Sequence, residues 1–169
     1  MIIIRDEEPG DIKSIFEVNS RAFETDVEAR LVNTLRGEGV RMISLVAEMG
    51  GMVAGHILFT PVIIENQGTS ITAGGLGPMA VLPEYQRSGL GSILISAGLG
   101  ACRTIGWKAV FVLGHPEYYP KFGFVPTASF GLRYKRAEFD PFFFVKELEL
   151  GALAGISGMV NYHPAFDDV

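Results

Sequence analysis

Cysteine is almost absent from this chain of 169 residues, with Cys102 its only example. A lone thiol excludes an internal disulfide and a metal site built on cysteines, and Cys102 reads as a small packing residue rather than a nucleophile. Basic charge is also scarce: 14 Lys and Arg stand against 19 Asp and Glu, a formal net charge of −5. No cluster of Lys or Arg interrupts the sequence. Nucleic acid is therefore not expected as a partner, since phosphate backbones are held by dense positive charge. The acidic balance is compatible with a cationic amine. Long apolar runs are missing too. No window approaches the ~18 apolar residues that a membrane span needs, and Met1-Ile2-Ile3-Ile4-Arg5-Asp6 is too short a run for a signal peptide. A cytoplasmic location without membrane contact is the expectation.

What remains is a chain rich in apolar residues, 48% hydrophobic and 20% charged. This is the composition of a compact domain and not of a disordered segment. Residues 1–169 read as a single domain, with no linker, repeat or low-complexity tract. Ile2-Ile3-Ile4 predicts a strand, and Pro9-Gly10-Asp11 opens a helix. A second helix runs from an N-cap at Asp26 to Gly37. Ile43 to Glu48, a turn at Gly50-Gly51 and Met52 to Ile64 predict a hairpin. Pro61 marks a bulge or an edge. Ser70 to Val81 is a further strand that carries Gly74, Gly75 and Gly77. A helix from Gly89 to about Ile105, a strand from Lys108 to Leu113, a short helix from Pro116 to Gly123 and strands around Phe124, Phe142 and Gly158 follow.

The densest information lies in Gln86-Arg87-Ser88-Gly89-Leu90-Gly91. Met79-Ala80-Val81-Leu82 before it is an apolar strand, and Pro83-Glu84-Tyr85 the turn that ends it. Behind it Leu90, Ile93, Leu94, Ala97, Ala101 and Ile105 recur at helical spacing. A strand thus turns directly into the first turn of a helix, where backbone N–H groups lack intrahelical partners and the helix dipole is positive. Gly89 and Gly91 leave room for a phosphate to approach the backbone. Gly91 is followed by Ser92-Ile93, which lacks the Lys-Ser/Thr of a Walker loop, and Leu94 stands where a dinucleotide fingerprint needs glycine. Gln/Arg-x-x-Gly-x-Gly/Ala after an apolar strand resembles instead the acetyl-CoA pyrophosphate loop of the GNAT superfamily of N-acetyltransferases.

Downstream, Tyr118-Tyr119-Pro120-Lys121-Phe122-Gly123-Phe124 is similar to the Tyr-x-x-x-Gly-Phe motif of many members of that superfamily, with Tyr119 in the tyrosine position. The element order resembles the GNAT fold throughout the chain, while the sequence-specific likeness covers residues 76–125. The resemblance implies an α/β fold with a mixed, mostly antiparallel central sheet flanked by helices and splayed between the strand before the glycine loop and the next strand. It implies acetyl-CoA as acetyl donor, held by Met79, Ala80 and Val81 along the pantetheine arm and by Gln86, Arg87, Ser88, Gly89, Leu90, Gly91 and Ser92 at the pyrophosphate. The N–H of Met79 would face the thioester carbonyl.

Tyr119 suits a proton donor to the departing thiolate, because a phenol with a pKa near ~10 stays protonated at neutral pH. Packing beside the Gly-Phe turn is the alternative, and Tyr118 competes for either role. A base is needed to deprotonate an ammonium acceptor; Glu48, His56, Glu84, His115 and Glu117 are the candidates, His115 first. His56, flanked by apolar residues, also fits a core histidine. Gly114-His115-Pro116-Glu117 departs from the commoner pattern, which has Asn in this region.

The expected activity is direct attack of a primary amine, small-molecule or peptide, in a ternary complex without a metal. A non-catalytic acyl-CoA-binding regulatory module is the rival, for which Tyr119 would be superfluous. Phe139-Asp140-Pro141-Phe142-Phe143-Phe144 is too apolar for an exposed edge strand. Either a helix covers it or it lies in a homodimer interface.

Overall fold

Three consecutive β-branched residues follow Met1, and Ile2–Asp6 forms the first strand, β1. The computed structural model describes residues 1–169 as two units. The first comprises Met1–Thr60, Gly77–Ala101 and Pro164–Val169; the second comprises Pro61–Leu76 and Cys102–His163. Two strands, β3 (Met52–Asn66) and β4 (Thr69–Val81), run through both. Their nine strands form a mixed, mostly antiparallel sheet, as expected. No helix is long and apolar enough to cross a membrane.

In the first unit the order is β1-β2-β3-β4, with β2 at Ile43–Met49. Ile4 pairs with Ala47, and Val46 with His56. A turn of 3-10 helix at Pro9–Asp11 leads into α1 (Ile12–Phe23), and a left-handed Glu24 separates it from α2 (Val27–Gly37). Asp26 stands at the N-cap position of α2, although its side chain makes no capping bond. α1 buries Ile15, Val18 and Asn19, and α2 buries Ala29, Leu31, Val32 and Leu35. They meet the sheet face that carries Ser44 and His56, since Asn19 bonds His56. Strand alternation sends Gly55 and Phe59 to the opposite face, where α3 (Leu90–Thr104) packs through Leu90, Leu94 and Gly98.

The buried stripe of α3 differs from the predicted one. Ile93 is 41% exposed, whereas Leu94, Ile95, Leu99 and Cys102 are buried. The cause is Gly98: a Cβ there would stand 2.5 Å from Cζ of Phe59, so the helix turns its side-chain-free position onto that ring. Cys102 is sealed in, and burial pushes its thiol up to about 12, the state of a packing residue.

In the second unit the order is β3-β4-β5-β8-β6, with β5 at Ala109–Leu113, β8 at Phe143–Glu147 and β6 at Val125–Pro126. β9 (Gly158–Asn161) pairs with β3, and the short β7 (Leu132–Arg133) lies parallel to β9. The parallel join of β4 to β5 is brief: Gly74 with Val110, Gly75 with Phe111 and Leu76 with Val112. Val62, Ile64, Phe111, Phe143, Val145 and Val160 belong to the core here. Pro61 falls where β3 has left β2 at Phe59 and not yet met β9 at Ile63, so on that edge its missing N–H costs no ladder bond.

Two expectations change. β8 is an interior strand between β5 and β6, and Phe143 and Phe144 are buried within the chain itself, whereas Phe142 is 46% exposed, so the apolar run is covered only in part. The short helix after Pro116 is a 3-10 turn at Tyr119–Phe122. Pro120 lies inside it and Gly123, at φ 89°, ends it at once, which leaves no room for an α-helical ladder.

The glycines of β4 have a packing cause. A Cβ on Gly74 would stand 2.7 Å from the Trp107 ring, and one on Gly75 would stand 2.7 Å from the Tyr162 ring. Gly98 tests the same logic in α3. In an open helix Gly→Ala gains up to about 1 kcal/mol, and Gly100, with nothing within 4 Å of an added Cβ, should behave so. Gly98→Ala should instead lose about 1–3 kcal/mol by overpacking. Urea unfolding of the two variants is expected to give opposite signs.

Candidate active site

The backbone of β4 changes its surroundings before the glycine loop. The N–H of Leu82 donates to the carbonyl of Ala54 on β3 at 2.9 Å. The Ala80 carbonyl also lies on that side, 3.4 Å from where a Cβ of Gly55 would be. Alternation along a strand then directs the N–H and C=O groups of Met79 and Val81 to the other edge. β4 has left its registered pairing with β5 at Leu76 but runs on to Val81. On that edge the Val81 carbonyl accepts a hydrogen bond from Nε2 of Gln86 at 3.0 Å. Ala80, between Met79 and Val81, faces β3 with its carbonyl and is buried.

A 3-10 turn at Pro83–Tyr85 carries the chain from β4 into the loop. Arg87 has φ 64° and Gly89 φ 86°, so the loop needs left-handed backbone at both. Ser88 Oγ donates to the Tyr85 carbonyl and ties the loop back to the turn. Arg21 on α1 adds a second tie, with 2.8 and 3.2 Å bonds to the Glu84 carboxylate. The first intrahelical bond of α3 runs from the Ile93 N–H to the Gly89 carbonyl at 3.2 Å. The N–H groups of Leu90, Gly91 and Ser92 precede it and have no partner in the helix. They form an anion-accepting end, strengthened by the helix dipole. Space above Gly89 is open, with nothing within 4 Å of an added Cβ.

Tyr119 is placed by a different set of contacts. The His115 carbonyl accepts from the N–H groups of Tyr118 and Tyr119 at 3.1 and 3.4 Å, which closes the turn. Lys146 Nζ donates to the Phe122 carbonyl at 2.7 Å. The Tyr119 ring meets Tyr118 at 5.1 Å and Phe124 at 5.7 Å between centroids, edge to face in both cases. Burial, and secondarily Tyr118, pushes its phenol up to about 12, so it is protonated across the neutral range.

The sequence matches the family profile described as "Acetyltransferase (GNAT) domain" over residues 4–127. The chain belongs to the GNAT acetyltransferase family. It is 37% identical to an uncharacterised N-acetyltransferase, YhbS, of Escherichia coli over 167 residues, 98% of this chain and 99% of that one. The crystal structure of YhbS in complex with CoA aligns at a TM-score of 0.93 over 98% of this chain and 92% of that one. A GNAT acetyltransferase from Brucella melitensis, crystallised with acetyl-CoA, is 35% identical, with a TM-score of 0.80 over 99% of each chain.

Against this GNAT framework the candidate bases separate. Glu48 is bonded to Arg5 at 3.1 Å, and Arg5 in turn grips Asp11 at 2.7 and 2.9 Å. Glu84 is held below the usual carboxylate range by a bond from its own backbone N–H and by Arg21. His56 is fully buried. Ser44 Oγ donates to Glu7, so it accepts from Nε2–H of His56 at 2.9 Å, while Nδ1 accepts from Asn19 Nδ2 at 3.2 Å. Glu7 itself is raised by burial but lowered more by Arg36 and Ser44, a net shift downward. His115 and Glu117 remain exposed, in the turn that delivers Tyr119.

Sequence reasoning did not find Tyr162, whose phenol burial raises strongly, with Tyr134 and Tyr119 adding to the shift. Nor did it find the Arg21–Glu84 tie or the polar chain around His56. The only signal for Tyr162 was the glycine density of β4, since Gly75 is the seat of its ring.

Burial drives the His56 pKa down to about 4. From pH 6.5 downward the unfolded chain takes up a proton that the folded chain refuses until about pH 4, so stability is lost as pH falls through that window. Between pH 7 and pH 5 the loss should be about 2 kcal/mol by denaturant unfolding. His56→Gln is expected to flatten that dependence.

Proposed function

We propose that this GNAT acetyltransferase moves the acetyl group of acetyl-CoA to a primary amine by direct attack in a ternary complex, with residues 1–169 working as one domain. The observation that carries this reading is the run of groups from β4 into α3: the outward edge at Met79 and Val81 passes through one short turn to the amide end at residues 90–92. A thioester arm and a pyrophosphate need such groups in that order along the chain. The CoA and acetyl-CoA named with the YhbS and Brucella structures support the same cofactor here.

Bound acetyl-CoA supplies an acyl group activated as a thioester. The Val81 backbone would pair with the pantetheine arm, and the Met79 N–H would donate to the thioester carbonyl as oxygen gains charge. Gly89 and the amides of Leu90, Gly91 and Ser92 would hold the pyrophosphate, with Gln86, Arg87 and Ser88 shaping the loop beside it. His115 would take the proton that the acceptor ammonium must lose before its nitrogen bonds the acetyl carbon. As the carbon–sulfur bond breaks, the Tyr119 phenol would donate to sulfur. The acceptor class is a small-molecule or peptide amine. A homodimer remains compatible with this reading but is not required by it: Phe143 and Phe144 are covered within the fold, while Phe142 is 46% exposed. Release of free thiol from acetyl-CoA across a panel of amines and peptides tests the activity; no turnover with any, despite binding, would favour the regulatory-module alternative.

Gly91→Asp places a carboxylate in the first turn of α3, where the dipole tolerates it and the helix stays folded. Calorimetry should show acetyl-CoA binding abolished; unchanged affinity in a folded variant would remove the cofactor assignment.

Tyr119→Phe keeps the ring and removes the hydroxyl. Acetyl-CoA affinity should be retained while turnover falls roughly 10²–10⁴-fold. A parallel loss of binding would identify a cofactor contact or packing role instead.

A further inference from the structure

Gly114 follows β5 directly and does not need to be glycine for its backbone, whose φ lies outside the left-handed region. Its N–H donates to the Phe142 carbonyl at 2.8 Å, which fixes it beside the start of β8. What it lacks is a side chain, and the vacated space holds the Tyr119 ring. A Cβ built on Gly114 would stand 3.0 Å from Cδ2 and 3.3 Å from Cζ of Tyr119, and closer still to Cε2. The contact is therefore made along the ring edge that leads to the hydroxyl. The ring has no simple retreat, since Tyr118 and Phe124 stand against it. The turn that bears it is bonded at both ends, to His115 and to Lys146.

We infer that Gly114 is a positioning residue for the Tyr119 hydroxyl: the missing Cβ lets the phenol lie flush on the end of β5, at the one place from which it donates. The inference rests on the reading of Tyr119 as donor. It also gives a physical cause for glycine at the head of Gly114-His115-Pro116-Glu117.

The test compares the wild type, Gly114→Ala, Tyr119→Phe and the double variant, with acetyl-CoA and whichever panel amine turns over fastest. Gly114→Ala should lower kcat about 10²-fold, the scale of a displacement near 1 Å, with the KM for acetyl-CoA within threefold (about 0.7 kcal/mol) of wild type. In the Tyr119→Phe background the same substitution should leave the residual rate nearly unchanged, because no hydroxyl remains to misplace. An unaltered kcat in folded Gly114→Ala, or an equal loss in both backgrounds, overturns the inference. A wild-type rate in Tyr119→Phe overturns the donor reading itself, a separate result. Phenolate absorbance supplies a readout that needs no acceptor. The Tyr119 contribution, identified by its loss in Tyr119→Phe, should ionise earlier in Gly114→Ala as the ring is pushed from its buried seat; an unchanged titration overturns the displacement. If Gly114→Ala does not fold, pairing it with Tyr119→Leu, which removes the ring, should restore folding, and failure to do so overturns the contact.

Discussion

The arrangement depends on how β4 uses its two edges. Toward β3 it stays bonded as far as Leu82. Toward β5 it is registered only over Gly74, Gly75 and Leu76. In that short stretch, where two strands lie side by side, the glycines admit Trp107 on one sheet face and Tyr162 on the other. Beyond it, Met79 and Val81 carry backbone donors and acceptors on the edge away from β3. A strand interior with ordinary side chains would keep neither ring so close to the backbone. The same strand is thus packing scaffold in one half and a line of polar groups in the other, and the turn at Pro83–Tyr85 brings the helix amides in directly after it.

A second constraint lies under α1 and α2. Burying charge and imidazole is costly unless each group has partners. Here Arg36 meets Glu7 at 2.8 and 2.9 Å, Glu7 takes the Ser44 hydroxyl, and Ser44 accepts from His56. Asn19 completes the chain by donating both to His56 and to the Ile15 carbonyl. Each link sets the proton position of the next, which fixes the neutral histidine tautomer without any titration. The arrangement joins α1, α2, β2 and β3 through directional bonds. It also removes His56 from the proton chemistry, as a buried imidazole saturated at both nitrogens has no opening to an acceptor amine.

Much of this was legible in the sequence because it rests on local rules. The strand, turn and glycine loop from Met79 to Gly91 announce themselves by apolar periodicity and by glycine where left-handed backbone or open space is required, as at Gly89. Inference by spacing fails where distant residues decide. The rotation of α3 was set by Phe59, far away in sequence, so Ile93 faces outward against the apolar pattern. The apolar run at 139–144 left a covering helix and a subunit interface both open, because nothing local says that β6 will pair beside β8. Glu48 and Glu84 looked available as bases because Arg5 and Arg21 are brought to them only by the fold.

The state of Tyr119 sharpens the proposed chemistry. A phenol raised to about 12 is a poorer acid than an ordinary tyrosine, and a thiol with a pKa of ~8.5 is a weak competitor for its proton. Complete transfer before carbon–sulfur cleavage would therefore be uphill. Donation of a hydrogen bond to sulfur as it becomes negative has no such penalty, and bonds to charged acceptors are roughly twice as strong as neutral ones. Burial favours this role on both counts: it keeps the proton on oxygen and lowers the local dielectric in which the developing charge is met. In the proposed chemistry, placement of the hydroxyl would then matter more than its acidity, and the space left by Gly114 would serve that placement.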